Sequence, residues 1–274
     1  GILYEANGTS SDLNDAFIAY SRAYQIYEQD NGNFFDGAVP RLLKENLLTL
    51  AYFMGGDSYG QYGSALKGIP LVTLKEKKKK AEVYLIQYIG FSPVKVSTVV
   101  PVPFDARHIT QVAFPKYVSR STEIESSDFS AEKSDQLAYV QPTFIGQNID
   151  GLAQRVLESH KAELLAKAVI RPAAKYVAER AISKEVQDKW GNGAAFGFNI
   201  LSSLYNLTTE RADIRSWQSL PAQIRIARLL LDPGDYEFYV QTYASGRHRL
   251  NKVSLGRATV EAGEKKFFLF RNYR

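Results

Sequence analysis

The sequence predicts an α+β protein in which N-terminal helices precede a β-sheet region, an inserted helical hairpin and a C-terminal β-meander. Two periodicities support this class. Apolar residues recur every three or four positions near the N-terminus and again over 150–209, which is typical of helices. Over 82–146 and 222–272 they alternate with polar residues or form short runs between glycines and prolines, which favours strands.

The N-terminal segment, residues 1–63, carries two helical patterns, "SSDLNDAFIAYSRAYQIYEQDN" and "VPRLLKENLLTLAYFMG". Five residues at fixed spacing resemble a tetratricopeptide repeat: Tyr4, Gly8, Ala16, Tyr20 and Ala23. A single repeat cannot cover its own apolar face, because such repeats are stabilised by stacking on neighbours. We therefore expect the helical segment to continue upstream of residue 1.

Residues 64–81, which include "GIPLVTLKEKKKK", read as a linker to an α+β domain over 82–274. The lysine run either contacts an anionic surface or, as is more common for charge runs, is a solvated loop. In the strand "AEVYLIQYI", alternation places Val83 and Leu85 on one face and Tyr84 on the other. In "AQIRIARLLL", we expect Ile224 and Ile226 to face inward and Arg225 and Arg228 outward.

Several chemistries have no support in the sequence. Cysteine is absent, which excludes disulfides, zinc–thiolate sites, iron–sulfur clusters and cysteine nucleophiles. The three histidines, His108, His160 and His248, show no metal-ligand spacing. The glycines of "GNGAAFG" lack the Lys-Ser/Thr of a phosphate loop, so a break between helices is the favoured interpretation. We predict no catalytic residue, no metal site and no cofactor.

One stretch matches a nucleophile motif: Gly56–Asp57–Ser58–Tyr59–Gly60 fits G-x-S-x-G. A serine hydrolase that uses Ser58 is therefore an alternative function. The motif needs a sharp turn from a strand into a helix. Here the preceding residues have helical spacing, so a glycine-rich helix exit is the favoured interpretation.

Positive charge is concentrated in residues 211–274, which hold twelve Lys or Arg against six Asp or Glu. The candidate contacts for an anionic partner are Arg247, Arg249, Lys252 and Arg257. A glycan, a lipid headgroup or an acidic protein surface would suit them, and a solvated turn is the simpler reading. No nucleic-acid reader motif accompanies these residues, so nucleic acid is not the expected partner.

The stretch "ERADIRSWQSLP" combines two arginines, an aspartate and a tryptophan at the predicted end of the helical hairpin. We interpret Arg211, Asp213, Arg215 and Trp217 as a structural joint. Asp213 is close enough in sequence to pair with either arginine. Trp217 is expected to be buried at the seam between helices and sheet, with its indole N–H paired.

Several stretches together resemble an uncharacterised family of bacterial envelope lipoproteins with tetratricopeptide-like helices first and a β-containing C-terminal half. The matching residues are "YEANG…LNDAFIAYSRAY", "AEVYLIQYIGFSPVKVSTVVPVPF", "VAFPKYVSR" and "ERADIRSWQSLPAQIRIARLLLDPGDY". The resemblance implies export, a lipid anchor upstream of Gly1 instead of a transmembrane span, and a periplasmic position at the outer membrane. It implies no activity. We therefore expect a non-catalytic scaffold whose partners are other envelope proteins.

Overall fold

The computed structural model confirms the α+β class and divides the chain into two compact units. The first unit comprises Gly1–Ser92, Arg120–Leu152 and Ser219–Arg274, and the second comprises Pro93–Ser119 and Ala153–Gln218. The residues that the structure describes are 1–30, 39–103, 109–134, 136–166, 177–178, 182, 184, 188 and 213–273. Most of the predicted helical hairpin over 150–209 lies outside these ranges.

Helices occupy most of the described chain before residue 80. They are α1 (Ile2–Asn7), α2 (Ser10–Asp30), α3 (Arg41–Met54), α4 (Gly56–Ala65) and α5 (Leu74–Lys77). Pro40 immediately precedes α3, where its missing N–H costs no helical hydrogen bond. Gly55 ends α3 with a φ of 69°, a conformation that glycine adopts without strain, and the chain turns directly into α4.

The helices enclose a small apolar core of their own. Ala16, Leu47 and Leu50 are completely buried in it. The ring of Tyr62 from α4 meets the rings of Phe17 and Tyr24 edge to face, with centroids 5.9 and 6.0 Å apart. These contacts account for the apolar spacing that predicted the helices.

The strands and one further helix follow along the chain. They are β1 (Ala81–Ile89), β2 (Val94–Pro103), β3 (Ile109–Val118), β4 (Ser126–Lys133), β5 (Gln136–Pro142), β6 (Phe144–Asn148), α6 (Ile149–Ser159), β7 (Gln223–Leu231), β8 (Gly234–Tyr243), β9 (Arg249–Val260) and β10 (Lys265–Asn272). One four-stranded sheet has the order β10-β1-β7-β6 and another the order β5-β4-β8-β9. The C-terminal strands are thus shared between two sheets, and β10 pairs with β1 in parallel.

The two four-stranded sheets pack face to face in the first unit. Side chains from β1 and β7 meet those from β4 and β8 in one buried cluster. At its centre Phe238 contacts Phe129 and Phe268, with ring centroids 6.0 and 4.9 Å apart. Full burial of a large apolar side chain of this kind contributes roughly 1.5–3 kcal/mol to folding.

Neither Arg225 nor Arg228 faces outward as expected: both side chains are largely buried, on opposite faces of β7, and Arg228 pairs with Glu45 and Glu82. Arg225 is buried on the face that carries Ala227 and Leu229, and one of its terminal nitrogens donates to the Glu125 carbonyl oxygen. Ile224 and Ile226 are only half-buried, on the opposite face. The expectation failed because β7 is covered on both faces, so alternation of polarity does not identify the inner one.

The second unit contains the antiparallel pair β2–β3, in which Val94 pairs with Val118 and Pro103 with Ile109. The ammonium of Lys95 lies 5.5 Å from the centre of the Tyr117 ring. Gln154, early in α6, donates a hydrogen bond of 2.8 Å to the Ser119 hydroxyl.

The compact units do not follow the predicted boundaries at 63 and 81. Residues 1–63 belong to the same unit as both four-stranded sheets. The predicted linker over 64–81 contains α5, and its Leu71 and Leu74 pack against the helical core. It is therefore part of the packed structure and joins two layers of one unit.

Candidate functional site

Polar side chains from four helices and three strands meet in a buried group between the helices and the first sheet. We call this group the ionic cluster; its members are Glu5, Tyr20, Glu45, Asn46, Lys77, Glu82, Tyr84, Arg228 and Lys265. It forms because β1 lies between β7 and β10, which brings Glu82, Arg228 and Lys265 together on the face that the helices cover.

Glu82 is the centre of the ionic cluster. Its carboxylate accepts from Arg228 Nη1 at 3.1 Å and from the Tyr84 hydroxyl at 3.0 Å. Lys77 Nζ lies 3.5 Å away, and Lys265 Nζ also donates to it. A single carboxylate thus faces three cations, two from strands and one from helix α5.

Glu5 and Asn46 extend the ionic cluster into the helices. Glu5 accepts from Lys77 at 2.7 Å and from the Tyr20 hydroxyl at 3.0 Å. The side-chain oxygen of Asn46 accepts from Lys77 at 3.0 Å and from Arg228 at 2.7 Å, while its nitrogen donates to Tyr20. Each helix that carries a member is therefore hydrogen-bonded, directly or through one residue, to the sheet.

The electrostatics of the ionic cluster keep Glu82 ionised. Burial raises its pKa, but the charges of Lys77, Lys265 and Arg228 outweigh that effect and lower the pKa from 4.5 to about 2. Burial lowers the pKa of Lys77, although Glu5 and Glu82 oppose the shift. Burial also raises the pKa of Tyr84 well above its ordinary value, so its hydroxyl remains a donor.

The ionic cluster balances three carboxylates against three cations, and each charge has an opposite partner. Removing one partner of a buried ion pair costs about 3–5 kcal/mol, because the other charge remains buried. Such an arrangement is suited to fixing two layers in one relative position. The ionic cluster therefore holds the helices in a fixed position against the first sheet.

A cleft of about 400 Å³ opens beside the ionic cluster. Helix α3, strands β5, β6 and β7 and the residue between β5 and β6 line the cleft. The lining residues are Arg41, Leu42, Glu45, Tyr139, Val140, Gln141, Pro142, Thr143, Phe144, Ala227, Arg228, Leu229 and Leu230. Both oxygens of Glu45 are occupied, one by Arg41 Nε and one by Arg228 Nη2, each at 2.7 Å. We call this feature the α3–β5 cleft; its volume lies in the range of ligand pockets, about 300–1,000 Å³.

An aromatic patch lies where α3 turns into α4. Tyr52 and Tyr59 form an edge-to-face pair with centroids 5.2 Å apart, and Phe53 is half-exposed next to Tyr52 in the chain. We call these three residues the aromatic patch. Exposed aromatic groups of this kind are enriched at the centres of protein interfaces.

The predicted contacts for an anionic partner are mostly neutralised by neighbouring strands. Arg247 pairs with Asp128 at 2.9 Å, Lys252 with Glu132 at 2.6 Å, and Arg257 with Glu237 at 3.0 Å. Arg249 is exposed and has no ion pair among the residues that the structure describes. The net positive charge of the sequence therefore does not become a concentrated positive surface on β8 and β9.

The structure agrees only in part with the structural joint predicted from Arg211, Asp213, Arg215 and Trp217. Arg215 binds Asp213 through two nitrogens, both at 2.9 Å, and this hydrogen bonding lowers the pKa of Asp213. Arg211 lies outside the described residues. The expectation that Trp217 is buried is wrong, since the side chain is 72% exposed.

The residues just before β7 are held in place without burial of Trp217. The Ser92 N–H donates to the Leu220 carbonyl at 2.7 Å, and Arg271 donates to the Ser219 carbonyl at 2.7 Å. Ala222 is the buried apolar residue at this position. A backbone hydrogen bond, a hydrogen bond from the Arg271 side chain and a small buried side chain therefore hold the residues just before β7.

The G-x-S-x-G stretch does not lie in the structural context of a nucleophile. Ser58 is inside helix α4, and α3 precedes it, so no strand leads into the turn. Of the histidines, His108 lies outside the described residues, and His160 and His248 are exposed. The described part of the chain holds no group of three His, Asp or Glu side chains that could bind a metal ion.

The ionic cluster was not predicted from the sequence, although the sequence contains one signal that points to it. Thr73 and Glu76 form a capping box, in which Glu76 Oε2 accepts from the Thr73 N–H at 2.7 Å and the Thr73 hydroxyl accepts from Glu76 N–H at 3.3 Å. The T-x-x-E spacing marks a helix start within the lysine run. It therefore places Lys77 in α5, where it is buried, and not in a solvated loop.

Comparisons with known proteins found no match to a protein-family model, to a curated protein or to a solved structure. Across the described ranges, none of the helices combines the length and the apolar character that crossing a membrane requires.

Proposed function

We propose that this chain is a non-catalytic scaffold of the bacterial cell envelope that holds other proteins in a periplasmic or outer-membrane-associated assembly. The aromatic patch carries the proposal, because the accessible rings of Tyr52 and Tyr59 are in contact and Phe53, the residue after Tyr52, is also half-exposed. The helices that carry these residues are fixed to a β-sandwich. A binding surface on a rigid support loses little conformational entropy when a partner docks.

The envelope location rests on the family resemblance of the sequence. In this proposal a lipid anchor upstream of Gly1 attaches the protein to the outer membrane, and the aromatic patch faces other envelope proteins. The ion pairs on β8 and β9 make a broad anion-binding role the weaker alternative, since most of the cations there already have carboxylate partners.

A photo-crosslinking amino acid at Phe53 tests the proposal in the producing cell. Phe53 and Ile26 are equally accessible, at 50% and 52%, and both lie on helices, so Ile26 is a matched control position. We expect Phe53 to give discrete crosslinks to envelope proteins and Ile26 to give weaker or different ones. A chain that purifies from native membranes as a solitary monomer, without crosslinks from Phe53, would contradict the proposal.

A charge introduced into the aromatic patch should disrupt binding of the partner, whereas the same charge at the control position should not. Phe53→Glu is expected to abolish co-purification of the partner, whereas Ile26→Glu should leave it unchanged. Both side chains are half-exposed, so neither substitution should lower the thermal unfolding midpoint by more than a few degrees.

A further inference from the structure

The α3–β5 cleft lies where the two sheets of the sandwich do not join. Strand β6 pairs with β7 only over Gln223–Ile226. Within the described residues, the remainder of β7, Ala227–Leu231, is therefore paired on one side only, with β1. This open half of β7 has a length of about 16 Å at 3.3 Å per residue.

Strand β5 borders the other side of the cleft and is also an edge, since among the described strands it pairs only with β4. Four consecutive residues of β7, 227–230, and four of β5, 139–142, line the cleft. Side chains alternate between the two faces of a strand, so a consecutive run means that the strand edge itself borders the space. Two unpaired backbone edges thus face one opening.

The other edges of this sandwich carry features that prevent pairing with another chain. Strand β9 holds two arginines and a lysine, and β10 holds two lysines and an arginine. The Gly146 carbonyl of β6 accepts a hydrogen bond of 3.2 Å from Tyr27 of α2. Charged side chains and covering elements are the usual protection of edge strands.

Strand β5 lacks that protection over most of its length. Its sequence, "QLAYVQP", contains no charged residue, and Leu137 and Val140 are 60% and 48% exposed. Only Pro142, at its end, limits the pairing of another strand. An exposed, uncharged edge next to a second open edge is a site at which an extended segment can form main-chain hydrogen bonds.

The charge at the opening indicates the chemistry of the segment. Among the described residues, only the Nε of Arg41 is paired, with Glu45, and 74% of the Arg41 side chain is exposed. The Glu45 oxygens are already bound by two arginines. The terminal nitrogens of Arg41 are thus available for an incoming carboxylate, which they can bind with two parallel hydrogen bonds.

We propose that the α3–β5 cleft binds an extended segment of a partner protein, with apolar side chains at alternate positions and a carboxylate that pairs with Arg41. The segment adds a strand to the open half of β7, alongside β5. A second copy of this chain fits less well, because its described edge strands β5, β6, β9 and β10 contain no acidic residue. The inference rests on the proposed scaffold function and adds to it the form of one partner.

A displayed library of random linear dodecapeptides, selected on the full 274-residue chain, supplies the probes. We expect the enriched peptides to alternate apolar residues and to contain Asp or Glu. N-methylation of alternate peptide residues should weaken binding about tenfold or more, because it removes the donors of an added strand. Bound peptide should slow hydrogen exchange of the backbone amides in 139–142 and 227–231.

Substitutions in the protein locate the binding. Arg41→Ala should weaken binding of the acidic peptides about threefold to tenfold, as expected for one accessible charge pair. The matched control Arg247→Ala removes an exposed arginine on another sheet and should have no effect. Val140→Lys places a charge on the β5 edge and should abolish binding while the thermal unfolding midpoint is retained.

Several outcomes would overturn the inference. They are a library without enriched binders, binders that tolerate N-methylation, hydrogen-exchange protection confined to other strands, and a dimer of the chain that Val140→Lys dissociates. Each of these leaves the scaffold proposal intact if Phe53 still crosslinks to envelope proteins. Conversely, peptides that bind the cleft of a chain that is a solitary monomer in cells contradict the scaffold proposal alone.

Discussion

Glu82 illustrates how one residue can join two layers of a protein. It is almost fully buried, and its three cationic neighbours come from α5, β7 and β10. Asn46 has a similar position, since its amide both accepts from two cations and donates to Tyr20. Neither residue faces solvent, so both serve the packing of the fold.

Replacing Glu82 with glutamine should destabilise the protein by about 3–5 kcal/mol, because three buried cations lose a charged partner. Urea unfolding followed by circular dichroism measures the loss. Glu237→Gln is the matched control, since Glu237 pairs with the exposed Arg257 and should contribute less than about 1 kcal/mol. Equal losses for the two variants would contradict a structural role for the ionic cluster.

Glu82 should also make the free energy of unfolding depend on pH. The pKa of Glu82 is about 2 in the folded protein and 4.5 ordinarily, so the unfolded chain binds its proton first as the pH falls. Its contribution to the free energy of unfolding is complete above pH 4.5 and is lost between about pH 4.5 and 2. Unfolding measured across this range should show a steeper loss for the natural protein than for Glu82→Gln. Parallel profiles would contradict the assignment.

At the scale of elements, helix α5 shows how four residues can determine the position of a buried charge. The capping box between Thr73 and Glu76 fixes its first turn, and Lys77 at its end reaches Glu5 and Glu82. Lys75 belongs to the same lysine run but is exposed and is not a member of the ionic cluster. A helix start therefore decides which lysine is buried.

Thr73→Ala should lower the free energy of unfolding by about 1 kcal/mol, the usual effect of removing an N-cap side chain. Thr73→Ser retains a hydroxyl and should restore most of the stability. Urea unfolding of the two variants and the natural protein gives the comparison. If serine were as destabilising as alanine, the threonine would act through its methyl group and not through the cap.

Elements were predictable where the periodicity of the sequence matches a single buried face. Helices α2 and α3 follow their apolar spacing, and the strand predicted from Val83 and Leu85 is β1. The orientation of β7 was not predictable, because Arg225 and Arg228 are buried on opposite faces, each against partners remote in sequence. The ionic cluster was missed for the same reason, since Glu5 and Lys265 become neighbours only after the strands are ordered.

At the scale of the whole molecule, we infer that the helices and the sandwich fold together and that neither is stable alone. A fragment that begins at Ala81 retains every strand of the first sheet but exposes Glu82, Tyr84 and Arg228. We expect it to be unfolded or only partly folded, as judged by the dispersion of its amide resonances. Addition of residues 1–80 as a separate chain should restore folding; cooperative unfolding of the isolated fragment would show that the helices are dispensable.

The parallel pairing of β1 with β10 also sets the order in which the protein is completed during synthesis. β1 ends at Ile89 and its partner begins at Lys265, so about 180 residues are added between them, which takes roughly 10–40 s at 5–20 residues per second. For that time the central strand has only one of its two neighbours, or neither, and its apolar residues need protection from other chains. If the protein is exported, as the proposed function requires, this delay favours crossing the membrane before the sheet can close.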